Sequence, residues 1–267
     1  MSTFASSFHE LAVTLSPAQG IPRRRRDDPP IVAPIARVSV DRRLNGPRRS
    51  ANGGFAAGIL SRHVDADVVT VVLRRRVPLA RPLDVHADDR RGVVLSRRRR
   101  TVAQARPGVL ADTIAPPPPS WGEALAARAH HPLIGVRHLL SDCIVCGPER
   151  SDGMRVTPGP VAGRPELLAA PWLVGVRESA SGTAHAAAVW AALDCPSYPA
   201  EALAARRLCL LGTMTARIDR RPRVGERIVV YSWTRSRKDR KYETSVRAVD
   251  EAGGQIAAAD ATWIALR

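Results

Sequence analysis

The stretch Gly182-Thr-Ala-His-Ala-Ala-Ala-Val-Trp-Ala-Ala-Leu-Asp194 decides the fold. From Ala184 to Asp194 the residues are Ala, Val, Trp and Leu at nearly every position, so the helix they form has no polar stripe to turn toward water. A helix apolar on all sides has to be enclosed. Gly182 opens the turn before it and Thr183 is a suitable N-cap, while Pro196 and Pro199 end it. The flanking segments read as strands. Met154–Val161 is extended and broken by Pro158 and Pro160, as an edge strand tolerates, and Glu166–Val176 is a second apolar run. Cys209–Asp219 alternates, with Leu211, Thr213, Thr215 and Arg217 on one face. Arg227–Arg235 and Lys241–Val249 form a hairpin across a charged turn at Ser236–Arg240. Asp250–Gly254 is a turn, and Gln255–Leu266 is a long final strand. A curved antiparallel sheet wrapped round one central helix satisfies this order, because the helix can then bury all its faces.

The same order recurs earlier in the chain. Asn52–His63 reads as a helix entered through Gly53 and Gly54, followed by strands at Val68–Val77, Leu83–Ala87, Val93–Arg97 and Thr101–Ala105. The two halves meet at Ala115–Ser120, where Pro116–Pro119 is a stiff extended spacer, and Trp121–His131 is an Ala-rich connecting helix. The expected organisation is therefore a poorly ordered or degenerate N-terminal segment over 1–50 and a first domain over 51–112. A Pro/Ala-rich linker over 113–131 and a second domain over 132–267 follow. Arg and Pro dominate the first segment, with Arg23–Arg26 and Pro29–Pro30 as its clearest features.

With 267 residues, 45% of them hydrophobic, the chain can bury two ordinary cores. No apolar run approaches the roughly 20 residues of a membrane-spanning helix, and Met1–Leu15 lacks the basic start of a signal peptide. Four cysteines make no disulfide framework in a chain of this size, so a cytoplasmic, reduced protein without a membrane span is expected. The formal charge is +16, and only Lys238 and Lys241 among its 41 basic residues are lysines. That arginine bias, beside so many Ala, Pro and Gly, reflects a GC-rich coding sequence more simply than a nucleic-acid partner. No aromatic-interleaved binding motif accompanies the basic runs. A basic surface still concentrates anionic ligands such as coenzyme A.

Four segments carry a family resemblance. Asn52-Gly-Gly-Phe-Ala-Ala-Gly-Ile-Leu60 resembles the glycine-pair opening of the hot-dog helix in acyl-CoA thioesterases. Cys143-Ile-Val-Cys-Gly-Pro148 with Gly153-Met-Arg-Val156 is similar to the leading segment of single-domain hot-dog thioesterases. Val189-Trp-Ala-Ala-Leu-Asp194 resembles the helix bearing the active-site aspartate in type II, two-hot-dog acyl-CoA thioesterases. Asp250-Glu-Ala-Gly-Gly-Gln-Ile256 through Trp263 resembles the last hot-dog hairpin. Together they span Asn52–Arg267. The resemblance implies an α+β tandem (double) hot-dog, each half a curved antiparallel sheet around a central helix. It also implies hydrolysis of an acyl-CoA or acyl-carrier thioester. No cofactor is expected beyond the coenzyme A of the substrate, and no metal; a homo-oligomer is left open.

Asp194 is the first candidate for chemistry. A carboxylate at the end of an apolar helix is costly unless solvated, paired or functional, and thioester hydrolysis needs a base to take a proton from the attacking water. An exposed helix end, or an acceptor for turn amides near Ser197, is the structural alternative. The resemblance adds a threonine, falling near Thr213 or Thr215, and a glutamine whose position is taken here by Thr262. That departure puts catalysis in doubt, since a hydroxyl cannot bridge two groups as an amide can, and it keeps open a non-catalytic acyl-CoA or lipid-binding protein. Gly53 and Gly54, with Asn52 before them, offer helix-start amides to a thioester carbonyl or simply a tight turn with an N-cap. Trp190, one turn before Asp194, faces either an acyl tunnel or the core. Arg235, Arg237, Lys238, Arg240 and Lys241, at a hairpin tip, are candidates for coenzyme A phosphates or else a solvated turn. Cys143 and Cys146 have the spacing of half a zinc site, but no second pair follows, Cys195 and Cys209 being set apart by a helix end and a strand. His185 is ten residues before Cys195, too far along one helix to activate it. His130 and His131 read as solvated linker residues.

Overall fold

The computed structural model describes residues 33–266 apart from residues 90 and 149; Arg23–Arg26 and Pro29–Pro30 lie outside the described residues. In chain order the first half contains β1 (Ala36–Val38), α1 (Gly53–Ser61), β2 (Val68–Leu73), β3 (Leu83–Asp88), β4 (Gly92–Arg97) and β5 (Arg100–Pro107). A connecting helix, α2 (Trp121–Ala129), leads to β6 (Gly159–Val161), β7 (Arg164–Leu173) and the two-residue strands β8 (Ser179–Ala180) and β9 (Thr183–Ala184). Then come α3 (Ala186–Asp194), a 3-10 turn (Cys195–Ser197), α4 (Ala200–Ala204), β10 (Cys209–Ile218), β11 (Arg227–Lys238), β12 (Lys241–Asp250) and β13 (Gln255–Ala265).

Eleven strands form one sheet in the order β1-β3-β4-β5-β2-β10-β13-β12-β11-β7-β6. The two halves join where β2 pairs antiparallel with β10, Thr70 opposite Thr215 and Val72 opposite Thr213. Each half contributes one apolar helix, and both helices lie in a single core that also holds Val71, Val85, Met214, Ile228 and Val246. This is the tandem hot-dog: two helix-bearing antiparallel units side by side.

The two helices touch through glycine. A Cβ placed on Gly54 would lie 2.6 Å from the Trp190 carbonyl oxygen and 2.7 Å from Ala191 Cα; one on Gly58 would lie 2.6 Å from Ala187 Cα. These are backbone atoms, which cannot swing aside, so the Gly-x-x-x-Gly spacing in α1 is what allows the helices to approach. Trp190 is buried in this interface, its Cβ 2.9 Å from the Cβ position at Gly58. It belongs to the core and does not line the cavity described below.

Several boundaries differ from the expectations. Residues 33–50 are built into the fold: β1 pairs with β3, and Val38, Val40 and Leu44 are buried. The surrounding Arg and Pro hide this short run of apolar positions in the sequence. Thr183 does not cap α3. It pairs with Ala180 in the β8–β9 hairpin, and His185 occupies the cap without a side-chain cap bond. The edge strand shrinks to β6; Met154 and Val156 instead donate their N–H groups to Ile144 O and Val145 O at 2.8 Å each. The charged turn also belongs to the strands, since Lys238 pairs with Lys241 across Asp239 and Arg240. The linker carries structure of its own. Ser120 and Glu123 form a reciprocal capping box, and Ala124 and Ala127 are buried with Leu167, Tyr231 and Val249. Thus α2 makes a further layer against the second half.

Because a methyl at Gly58 must displace backbone, Gly58→Ala is expected to lower stability by about 1–3 kcal/mol in urea unfolding, as overpacking does. That outcome would override the usual gain in helix propensity on replacing Gly with Ala.

Candidate functional site

Where the helices meet, the C-terminal end of α3 points at the N-terminal end of α1. Asp194 Oδ2 accepts a hydrogen bond from the Gly54 backbone N–H at 2.7 Å and another from Asn52 Nδ2 at 2.8 Å. Asn52 in turn accepts from Phe55 N–H at 2.9 Å through Oδ1, so it caps α1 and holds the carboxylate with the same amide. The carboxylate opposes the dipole of its own helix but meets the positive end of the other. Asp194 Oδ1 is buried with no hydrogen-bond partner among the described residues. Burial pushes the Asp194 carboxyl up to about 7, with the bonds from Gly54 and Asn52 pulling the other way. The helix end is fixed to the sheet just beyond. Ser197 Oγ donates to the Asp194 carbonyl, Trp263 Nε1 donates to Ser197 Oγ, and Thr244 Oγ1 donates to Ser197 O. The turn near Ser197 thus bonds the Asp194 backbone, not its side chain.

Asp194, Asn52 and Gly53 stand at the wall of a cavity of about 580 Å³, within the usual range for small-molecule sites. Leu73, Leu140, Leu203, Leu211, Trp263 and Ile264 supply apolar lining. The mouth is basic: Arg74, Arg75 and Arg76 follow β2, and Arg206 and Arg207 follow α4, all five exposed. All four cysteines are among its lining residues. The sulfurs of Cys143, Cys146 and Cys195 lie within 4.8 Å of one another and could hold a metal ion.

The sequence candidates divide accordingly. Asn52, Gly53, Gly54 and Asp194 are brought together from the two halves. The Gly54 N–H is spent on Asp194, so it cannot polarise a carbonyl as the helix-start reading supposed. The three threonines are elsewhere. Thr215 Oγ1 is 2.8 Å from Thr70 Oγ1, Thr213 stands opposite Thr262 on β13, and none of them lines the cavity. An irregularity between Leu211 and Thr213 shifts the register of β10, and Leu210, Leu211 and Gly212 line the cavity instead. At the hairpin tip, Arg237 is paired with Glu201 and lies over Tyr242. Lys241 is paired with Glu243 at 2.7 Å, Arg240 donates to Ala265 O at 3.3 Å, and Arg235 lies 3.8 Å from Asp260. These side chains and the exposed Lys238 are outside the cavity lining. The mouth arginines were missed, although three consecutive arginines directly after a strong strand are a legible signal. Cys195 was also missed as a partner of Cys143 and Cys146. His131, read as a solvated linker residue, is half-buried, and its Nδ1 lies 2.6 Å from Pro158 O.

No protein-family model and no curated protein matches the sequence. Solved structures do resemble the fold. The tesB protein of Mycobacterium avium subspecies paratuberculosis superposes with a TM-score of 0.56 at 12% identity, over 86% of this chain and 93% of that one. An acyl-CoA thioesterase II of Mycobacterium marinum gives 0.50 at 13% identity, over 81% and 90%. A hot-dog protein of unknown function from Alicyclobacillus acidocaldarius gives 0.50 at 11% identity, over 87% and 93%. At these identities the likeness shows the fold. Among the described residues no helix is long and apolar enough to cross a membrane.

The buried carboxyl has a measurable signature. Unfolded, Asp194 releases its proton near 3.8; folded, it holds it to about 7. The wild type therefore loses stability as pH rises between those values, by on the order of 4 kcal/mol in all. Asp194→Asn retains an acceptor for Gly54 and lacks this titration. In chelator-containing buffer its melting temperature, relative to wild type, is expected to rise from pH 5 to pH 8; a constant difference would mean that the carboxyl titrates normally.

Proposed function

We propose that the protein hydrolyses an acyl thioester of coenzyme A or of an acyl carrier, with Asp194 as general base. The observation that carries this is the Asp194 carboxylate itself. One oxygen is fixed by two donors from the other half of the molecule, the other is buried without a partner among the described residues, and the residue stands at the wall of an apolar cavity. A buried acidic group so arranged is expensive unless it serves chemistry. In this reading Asn52 and the Gly54 N–H orient the carboxylate, and Asp194 takes a proton from the attacking water as the carbon–oxygen bond forms. The tetrahedral intermediate then expels the thiolate, leaving the free acid. Gly53, at the first helical position beside the cavity, offers its N–H to the carbonyl oxygen in place of Gly54. The apolar wall takes the acyl chain. The mouth arginines, in place of the hairpin tip, take the phosphates of coenzyme A or of a carrier's phosphopantetheine. The resemblance of the fold to thioesterase II structures supports the reading.

Thiol release from acyl-CoAs of graded chain length tests it. Asp194→Asn is expected to lose about 10²–10⁴ in kcat, the range of a general base, while retaining binding; full activity in this variant would remove Asp194 from the chemistry. If wild type binds acyl-CoA saturably but releases no thiol, the site is a thioester-binding site without turnover.

The mouth has its own test. Replacing Arg75 and Arg206 together with Ala should raise KM for acyl-CoA and flatten its dependence on salt. KM for an acyl thioester of N-acetylcysteamine, which has no phosphate, should stay unchanged. Equal effects on both substrates would show that the arginines do not read phosphate.

A further inference from the structure

Cys143, Cys146 and Cys195 are free thiols, Cys143 buried and the other two half-buried. The Cys143 and Cys195 sulfurs are 3.9 Å apart, and the three converge within 4.8 Å. A tetrahedral zinc ion with sulfur bonds of about 2.3 Å needs sulfurs about 3.8 Å apart, so little movement separates this cluster from a ligand set. The chain is shaped to present them. Gly147 N–H bonds to Cys143 O at 2.8 Å, closing a compact turn that carries Cys143 and Cys146. A Cβ on Gly147 would come within 2.5–2.6 Å of the Cys143 backbone, so the turn as built requires glycine. The third sulfur arrives from the end of α3, 52 residues on. Asn52 Nδ2 lies 3.9 Å from Cys143 Sγ and 3.8 Å from Cys195 Sγ, as an outer-shell N–H donor to thiolates does. Asp194 oxygens do not join the sulfur set.

We infer that Cys143, Cys146 and Cys195 form a three-thiolate site for one thiophilic divalent ion of the zinc class, its fourth position open to the cavity. Binding exchanges three thiol protons for the ion, so affinity rises with pH. All three cysteines line the cavity, which leaves the fourth position to a water or to the sulfur of an entering thiol. Three protein ligands with one open position is the arrangement of reactive zinc sites, four protein ligands that of structural ones. The site does not depend on the cavity turning over a thioester, and its test reads no activity.

The experiment is a titration of the reduced, full-length protein with Co²⁺, followed by competition with Zn²⁺. The expected result is one equivalent per chain with thiolate-to-cobalt charge-transfer absorption, displaced by zinc. X-ray absorption of the zinc-loaded wild type should give three sulfur neighbours, a measurement that needs no variant to fold. Cys146→Ser and Cys195→Ser should each lose the charge-transfer band, and Cys209→Ser, whose thiol is outside the cluster, should keep it. Absence of the band in wild type with all thiols titrating free would overturn the inference. So would a band untouched by Cys195→Ser, or fewer than three sulfurs at the ion.

Discussion

The contact on which the rest of the structure depends is the close crossing of two helices without side chains between them. Gly54 and Gly58 let α1 lie against the backbone of α3 at Ala187, Trp190 and Ala191. This fixes the end of one helix against the start of the other. Asp194 is thereby handed the two donors it needs, one from a cap and one from an orphan helix amide. Any residue larger than glycine would move the helices apart, and the carboxylate would lose its partners in the same step. Helix packing and the hydrogen bonding of the Asp194 carboxylate are thus set by one geometric condition. For that reason a valine at Gly54 is no clean probe of ligand binding: its side chain would meet the Asp194 Cβ and the Trp190 carbonyl at 2.6 Å before it met a ligand.

Much of this was legible in the residues. An all-apolar helix ended by Pro196 has to be wrapped, and long alternating segments after it have to form the wrapping. That logic places α3 and β10 to β13 within a few residues of where they lie. The glycine pair at 53 and 54 and the aspartate at 194 could each be singled out from local pattern. Their convergence could not, because nothing in a sequence gives the distance between two helices in different halves of the chain. The strand register failed for a related reason. Alternation along Cys209–Asp219 suggests which threonines share a face, but an irregularity beside Gly212 shifts the phase and puts leucine on the cavity. Composition misled at residues 33–50, where buried Val38, Val40 and Leu44 are diluted by arginine and proline.

The leading segment of the second half illustrates how local turns acquire meaning from distant chain. Ile144 N–H bonds to Asn45 O at 2.9 Å, Asn45 Nδ2 donates to Asp142 O at 2.8 Å, and Arg150 Nη1 donates to Asn45 Oδ1 at 2.5 Å. A half-buried arginine held also by Asp152 at 2.6 Å anchors this crossing. The segment therefore packs on the first half of the molecule although it belongs in sequence to the second. Its cysteines reach the cavity only because of that placement.

The pairing of β2 with β10 has a consequence for the chain as a whole. Both strands lie inside the sheet, and each is flanked on its far side by a strand of its own half. A cut within 113–131 would not yield two finished domains. Each fragment would carry a β-branched or apolar border strand with its backbone donors and acceptors unpaired, a template for self-association. The same fragments, refolded together, would have each other as the complementary template. The linker therefore works as a tether that keeps two mutually templating halves at high local concentration, and the folded unit is their pair.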